Sequence, residues 1–146
     1  MKNILFPQHY HGAAFSRLLL GMRILFGVLF LTHGYIKLVE FENLLQTFPD
    51  LIGIGAEESL VLVIFAEFFC AMAFIAGFLF RLTLLPMIFA MGVAFFLAHG
   101  GSILNGELAL IYLGVFIMML FTGPGRYSVD NLVRYATCEI GDCECA

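Results

Sequence analysis

The chain has 146 residues, of which 62% are hydrophobic and 12% are charged, and its formal net charge is −4. Soluble domains average about 45–50% apolar and about 25% charged residues, so a soluble fold of this length cannot bury so much apolar surface. The few Lys and Arg residues form no basic patch, which excludes nucleic-acid binding. The composition therefore predicts an integral membrane protein with room for one domain.

Four long apolar segments follow one another along the chain, at residues 17–38, 59–80, 82–98 and 108–121. Each approaches or exceeds the length that a helix needs to cross a bilayer about 30 Å thick. The apolar run near the N-terminus is too short for a secretory signal. We therefore predict an all-α, polytopic membrane protein, a single antiparallel bundle of four transmembrane helices within residues 1–136.

Breaks between the segments indicate how the helices connect. Pro49-Asp50 interrupts the first loop, and Gly123-Pro124-Gly125 is predicted to end the fourth span. The turn around Phe80-Arg81 is very short, so the second and third spans should be antiparallel neighbours in a hairpin. Pro86 falls in the first turns of the third span, where a lost backbone hydrogen bond costs little.

Positive charges predict the orientation of the bundle. Only Lys37 falls on the side away from the termini, whereas the other Lys and Arg residues near span ends fall on the side of the termini: Lys2, Arg17, Arg81, Arg126 and Arg134. The positive-inside rule then places both termini in the cytoplasm, with the first loop facing outward.

After the fourth span, residues 128–136 are predicted to form a short amphipathic helix that lies on the inner membrane surface. Ser128 has the chemistry of an N-cap, and Val129, Leu132 and Val133 supply an apolar face. Residues 137–146 form an acidic, Cys-containing tail.

Sequence motifs along most of the chain resemble the DoxX family of small membrane proteins. Residues 105–110 and the run GPGRYSVD at residues 123–130 are similar to the closing signature of that family. The first-span and second-span patterns are similar too, through Arg23, Gly27, Gly34, Lys37, Glu67, Gly77 and Arg81. The resemblance covers about residues 16–135. It implies a four-helix inner-membrane protein, and some members are associated with quinone-linked sulfur oxidation or with thiol and oxidative-stress complexes.

Ionisable residues within the spans are the candidates for function, because a charge near the bilayer centre costs at least about 2.5–3.5 kcal/mol. At a rise of about 1.5 Å per residue, Arg23 lies roughly 9 Å from the cytoplasmic edge, Glu67 roughly 21 Å and His33 roughly 24 Å. Three further residues lie deeper on the same scale: Lys37, His99 and Glu107. All of these except Arg23 should therefore share the outer half of the bundle.

Helical periodicity predicts which faces meet. One face of the first span carries Arg23, Gly27, Phe30, Gly34 and Lys37. Similar stripes are predicted on the second span, at residues 67, 71, 74 and 78, and on the third span, at residues 88, 92, 95 and 99. The depths of Arg23 and Glu67 differ by about 12 Å, so Glu67 is predicted to pair with His33 or Lys37.

A carboxyl group beside an imidazole in a low-dielectric site is suited to proton exchange, which quinone chemistry requires. We therefore assign Glu67 and His33 as candidate catalytic residues. The candidate cofactor-binding residues, for a quinone, are Arg23, Lys37, His99 and Glu107. Alternative roles remain open: Glu67 and Lys37 could simply lock helices together, the histidines could serve helix packing, and Lys37 could extend to the outer headgroups.

Metal binding is a less favoured alternative. The same two His and two Glu residues form a ligand set without a recognised spacing. In the tail, Cys138, Cys143 and Cys145 form a C-x4-C-x-C pattern, which is compatible with binding a soft metal or with thiol exchange with a partner. Neighbouring carboxylates lower thiol reactivity, so a disordered acidic tail is the favoured interpretation. Cys70 is expected to be a small core residue.

Three classes of function follow from these observations. The favoured one is an integral membrane subunit of a quinone- or thiol-linked redox complex, with a polar site in the outer half of the bundle. The sequence has no Rossmann fingerprint and no CxxCH haem motif, so an oxidoreductase activity would need a partner protein. The alternatives are a non-catalytic membrane scaffold or chaperone, and a small-molecule or metal-handling protein. The spans predict contact with the lipid bilayer. We also expect a membrane or cytoplasmic protein partner, and a homo-oligomer is compatible with the sequence.

Overall fold

The computed structural model describes residues 12–140, with side chains described as far as residue 136. It contains six helices and no strand within that range. The helices are α1 (Ala13–Val39), α2 (Phe41–Leu45), α3 (Ala56–Ala76), α4 (Phe80–Ala98), α5 (Ile103–Thr122) and α6 (Val129–Ile140). We call the end of the bundle with Ala13, Gly77 and Thr122 the base, and the end with Val39 and Ala56 the top.

Four of the described helices, α1, α3, α4 and α5, are long and apolar enough to cross a membrane. The predicted all-α bundle of four spans is therefore confirmed, but some boundaries differ. The second span covers 56–76 rather than 59–80, because Glu57 and Glu58 lie in its first turn, where carboxylates suit the positive end of the helix dipole. At its other end Gly77 adopts φ 69° and stops the helix.

The hairpin between α3 and α4 is confirmed, and it uses a three-residue turn. The amide of Phe78 donates to the Ala73 carbonyl at 2.9 Å, which closes the end of α3. Leu79 then adopts φ 45°, a left-handed conformation that a non-glycine residue rarely takes. Such strain persists only where neighbouring contacts hold it, and the base of the bundle supplies them.

Two of the spans contain one π-helical turn each, Phe65–Phe69 in α3 and Ala94–Ala98 in α4. Such a turn adds one residue to the helical repeat. The stripe predicted for the third span is confirmed at Phe95, which is buried, and is displaced at its other positions. Counting back from His99 gave residues 88 and 92, whereas the buried positions are Met87 and Met91, one residue earlier.

The core of the bundle is aromatic. Phe30 of α1 lies 5.0 Å from Phe116 and 5.2 Å from Tyr112, measured between ring centroids. Phe74 of α3 stacks on Phe80 of α4 at 5.3 Å. The predicted face of α1 is buried from Arg23 to Gly34, with Lys37 partly exposed, so this stripe is confirmed.

Arg23 joins the helices at the base. Its Nη1 donates to the carbonyl oxygens of Pro124 (2.7 Å) and Tyr127 (3.0 Å), and its Nη2 donates to that of Ile75 (2.7 Å). The side chain is buried. One residue of α1 thereby holds the end of α3 and the turn between α5 and α6.

Asp130 completes the base from the other side. Its two carboxylate oxygens accept hydrogen bonds from the amides of Leu79 (2.8 Å) and Phe80 (2.9 Å), and its own amide donates to the Gly77 carbonyl at 3.0 Å. These bonds hold the strained Leu79 turn and tie α6 to the α3–α4 hairpin.

The predicted C-terminal helix is present, and it extends over Val129–Ile140 rather than 128–136. Ser128 acts as the expected cap, because its Oγ accepts a hydrogen bond from the amide of Asn131 at 3.2 Å. The side chain of Cys138, and residues Cys143 and Cys145 entirely, lie outside the described residues.

We expect Asp130→Ala to lower the thermal stability of the detergent-solubilised protein. The substitution leaves the buried amide of Phe80 and the part-buried amide of Leu79 without their acceptor, and an unsatisfied buried amide costs about 1–3 kcal/mol. Thermal unfolding followed by intrinsic fluorescence or circular dichroism would measure it. Glu42→Ala, at an exposed position of α2, is the matched control. Equal melting temperatures for the two variants would contradict the role assigned to Asp130.

Candidate functional site

A cavity of about 360 Å³ lies in the upper half of the bundle, and we call it the top cavity. Its wall is formed by the loop residues 48, 49, 51 and 52, by the upper half of α3 and by α4 from Pro86 to Ala98. The lining is almost entirely apolar. Its hydrogen-bonding side chains are those of Lys37, Ser59 and Glu67.

Glu67 and Lys37 form an ion pair on the wall of the top cavity. Lys37 Nζ donates to Glu67 Oε2, and Glu67 is 3% exposed whereas Lys37 is 26% exposed. The predicted pairing of Glu67 with Lys37 is thus confirmed. A buried carboxylate needs such a partner, because removing either member of a buried pair costs several kcal/mol.

The close approach of α1 and α3 brings the two charges together. A Cβ atom at Gly34 would lie 2.6 Å from the carbonyl carbon of Glu67 and 2.7 Å from the amide nitrogen of Phe68. These are backbone atoms and cannot move aside as a side chain can. Only glycine therefore fits at this contact, and Lys37 follows one turn later on the same face of α1.

Both π-helical turns line the top cavity. Phe65 and Glu67 belong to the first turn, and Ala94 and Ala98 belong to the second. Turns of this kind are frequent at functional sites, because they redirect side chains that a regular α-helix would place elsewhere. The sequence analysis missed this feature, since its ruler assumed regular helices.

Loop residues 48–52 form a roof over the top cavity, and Asp50 fixes it. Its carboxylate accepts hydrogen bonds from the amides of Gly53 (2.8 Å), Ile54 (3.1 Å) and Gly55 (3.0 Å) and from Ser59 Oγ (3.3 Å). Desolvation raises the pKa of Asp50, but the hydrogen bonds outweigh it and the pKa lies below its ordinary value. The Pro49-Asp50 break was recognised as a loop signal, but its contribution to a site was not.

The other predicted site residues do not line the top cavity. Arg23 lies at the base, and Glu107 is exposed on α5. His99 is exposed, and its Nδ1 lies 2.6 Å from the carbonyl oxygen of Ala94. His33 is also exposed, and its ring makes an edge-to-face contact with Tyr112 at 6.2 Å. The structure therefore brings together two of the six residues, and the roles assigned to the other four stay predictions.

No group of three or more His, Cys, Asp or Glu side chains that could hold a metal ion occurs within the described part of the chain. Cys70 is buried in the apolar core, in agreement with its expected role. The lining of the top cavity, apolar with a few hydrogen-bonding side chains, is typical of sites for small molecules.

We expect Lys37→Met to lower thermal stability strongly, because it leaves the Glu67 charge buried without a partner, at about 3–5 kcal/mol. The double variant Lys37→Met/Glu67→Gln should recover much of that loss, since no uncompensated charge remains. A double-mutant cycle on unfolding in detergent measures the coupling. Strictly additive effects of the two substitutions would contradict a direct ion pair.

Comparison with known proteins places the chain in a family. Residues 18–100, more than half of the chain, match DoxX. The chain is 32% identical, over 118 residues, to the inner membrane protein YqjF of Escherichia coli strain K12. The matched region covers 77% of this chain and 88% of YqjF. No solved structure matches the chain. The four-span bundle, the matched residues and this relative together show that the chain belongs to the DoxX family.

Proposed function

We propose that this protein is the membrane subunit of a redox complex and that it binds a quinone in the top cavity. One observation carries the proposal. An apolar cavity in a bundle of membrane-spanning helices has a single ion pair, Lys37–Glu67, among its few hydrogen-bonding groups. Apolar walls with a few convergent polar groups are typical of small-molecule sites.

The residues present fit a quinone ring. A flat ring needs apolar walls, which Phe65, Phe89 and Met91 supply, and its carbonyl oxygens need a hydrogen-bond donor, which Lys37 supplies. A volume of about 360 Å³ lies at the lower end of the roughly 300–1,000 Å³ range of ligand pockets, and it suits a ring with short substituents.

Each member of the ion pair has a separate task in this proposal. A bound quinone would supply the capacity to take up electrons and protons. Lys37, the more exposed partner, donates a hydrogen bond to a carbonyl oxygen of the ligand and so leaves Glu67 less well compensated. Glu67, the buried carboxylate beside Lys37, is the group that we propose to exchange a proton with the ligand.

A partner protein must supply the electrons. The sequence has no Rossmann fingerprint and no CxxCH haem motif. The proposal is therefore a subunit rather than a complete enzyme. His33, whose ring packs edge-to-face against Tyr112, is the further residue that we propose for proton exchange.

We infer a location in the inner membrane with the base facing the cytoplasm. The name of YqjF describes an inner membrane protein. Arg81 and Arg126 lie near the base, and Lys37 lies in the upper half of α1, which is the distribution that the positive-inside rule requires.

The experiment is a thermal unfolding series of the detergent-purified protein with increasing concentrations of a short-chain ubiquinone. Binding to the native state must raise the stability, by about 2.7 kcal/mol at a hundred times the dissociation constant. We expect a saturable rise in Tm for the wild-type protein and its loss in Glu67→Gln. Glu107→Gln, an exposed carboxylate outside the cavity, should keep the full rise.

Two results would contradict the proposal. The first is no saturable shift for the wild-type protein, and that result would favour the scaffold function. The second is an equal shift in wild type and Glu67→Gln, which would place any bound quinone away from the top cavity.

A further inference from the structure

The wall of the top cavity between α3 and α4 carries exposed apolar side chains. The large ones are Leu62 and Phe65 of α3 and Phe89 of α4, and we call these three the lateral mouth. All three lie within helices long and apolar enough to span the membrane. The medium that these side chains face is therefore the hydrocarbon of the bilayer.

The first loop and the inner side of α4 border the cavity elsewhere. The loop residues 48–52, which Asp50 holds in place through four hydrogen bonds, cover the top. Ala90 and Met91 are buried on the inner side of α4, toward the core of the bundle. A ligand that dissolves in the bilayer thus finds an apolar path at the lateral mouth without crossing the roof.

The size of the cavity limits what it encloses. About 360 Å³ is near the minimum for a ligand pocket, so a ring fills it and a long hydrocarbon chain must lie outside. Hydrocarbon in lipid is as well solvated as hydrocarbon against Leu or Phe, so a chain left in the bilayer costs little.

We propose, building on the proposed function, that the ligand is a long-chain, lipid-soluble quinone that the protein takes directly from the bilayer. Its ring lies beside Lys37 and Glu67, and its isoprenoid chain leaves through the lateral mouth across Leu62, Phe65 and Phe89. Phe65 and Phe89 contact both the ring and the start of the chain, whereas Leu62 contacts the chain alone and therefore selects chain-bearing quinones.

A matched pair of positions on α3 allows a direct test. Leu62 is 49% exposed and lines the cavity, whereas its neighbour Val61 is 50% exposed and does not. Leu62→Trp should narrow the lateral mouth, and Val61→Trp should place the same bulk against lipid elsewhere. Both variants and the wild-type protein are placed in nanodiscs of one lipid composition.

Binding is measured with two ligands, a ring-only ubiquinone analogue and the same ring with an isoprenoid chain. Both ligands partition into the same lipid in every sample, so the comparison between protein variants cancels that effect. We expect Leu62→Trp to lower the affinity for the chain-bearing quinone about tenfold, which corresponds to about 1.4 kcal/mol. The ring-only analogue should keep its affinity for Leu62→Trp, and Val61→Trp should bind both ligands as the wild-type protein does.

Three outcomes would overturn the proposal. If Leu62→Trp weakened the binding of both ligands equally, Leu62 would be a ring contact. If Val61→Trp weakened the binding of the chain-bearing ligand as much as Leu62→Trp does, the chain would not follow a path specific to the lateral mouth. Either result leaves the proposed function intact. If neither ligand binds the wild-type protein, the proposed function fails and this inference fails with it.

A labelling experiment on the wild-type protein covers the case in which Leu62→Trp does not fold. A quinone with a diazirine on the first isoprene unit should label Leu62, Phe65 or Phe89 on irradiation. Labels confined to α1 or α5 would overturn the lateral path.

Discussion

The carboxylate of Glu67 is the constraint on which the upper half of the bundle depends. A carboxylate within a low-dielectric bundle needs a cation in contact with it, and Lys37 is that cation. The contact requires α1 and α3 to approach until Gly34 touches the backbone at Glu67 and Phe68. A glycine, a lysine one turn later and a glutamate on the facing helix therefore act as one unit.

The buried charges at the base of the bundle are stabilised in a different way, by hydrogen bonds to the backbone. The buried guanidinium of Arg23 donates to the Ile75 carbonyl at the end of α3 and to two carbonyl groups in the turn between α5 and α6. Carbonyl oxygens at these places lack helical partners. Asp130 satisfies the complementary amides at the start of α4. The charged residues at the base thus hold helix ends together, whereas the Lys37–Glu67 pair lies on the wall of the top cavity.

Particular residues show how far sequence reasoning reaches. The depths of the charged residues along regular helices limited the partners of Glu67 to His33 or Lys37, because such distances are set by a constant rise per residue. The choice of Lys37 depended on the contact between α1 and α3. The same ruler placed His99 near them, but His99 follows a π-helical turn, is exposed and does not line the top cavity. Asp50 was recognised only as part of a loop, since its partners Gly53 to Ser59 become visible only once the loop has folded.

The sequence by itself determined that this is a membrane protein of four antiparallel helices, because apolar length and positive charge depend on composition and on local order along the chain. It also identified the first-span face from Arg23 to Lys37, because a regular helix repeats every 3.6 residues. Only the tertiary structure decided which ionisable residues meet and where a ligand has room. Those outcomes depend on two π-helical turns, on the contact at Gly34 and on a loop that folds over the top cavity, and all three are set by packing between segments distant in the chain.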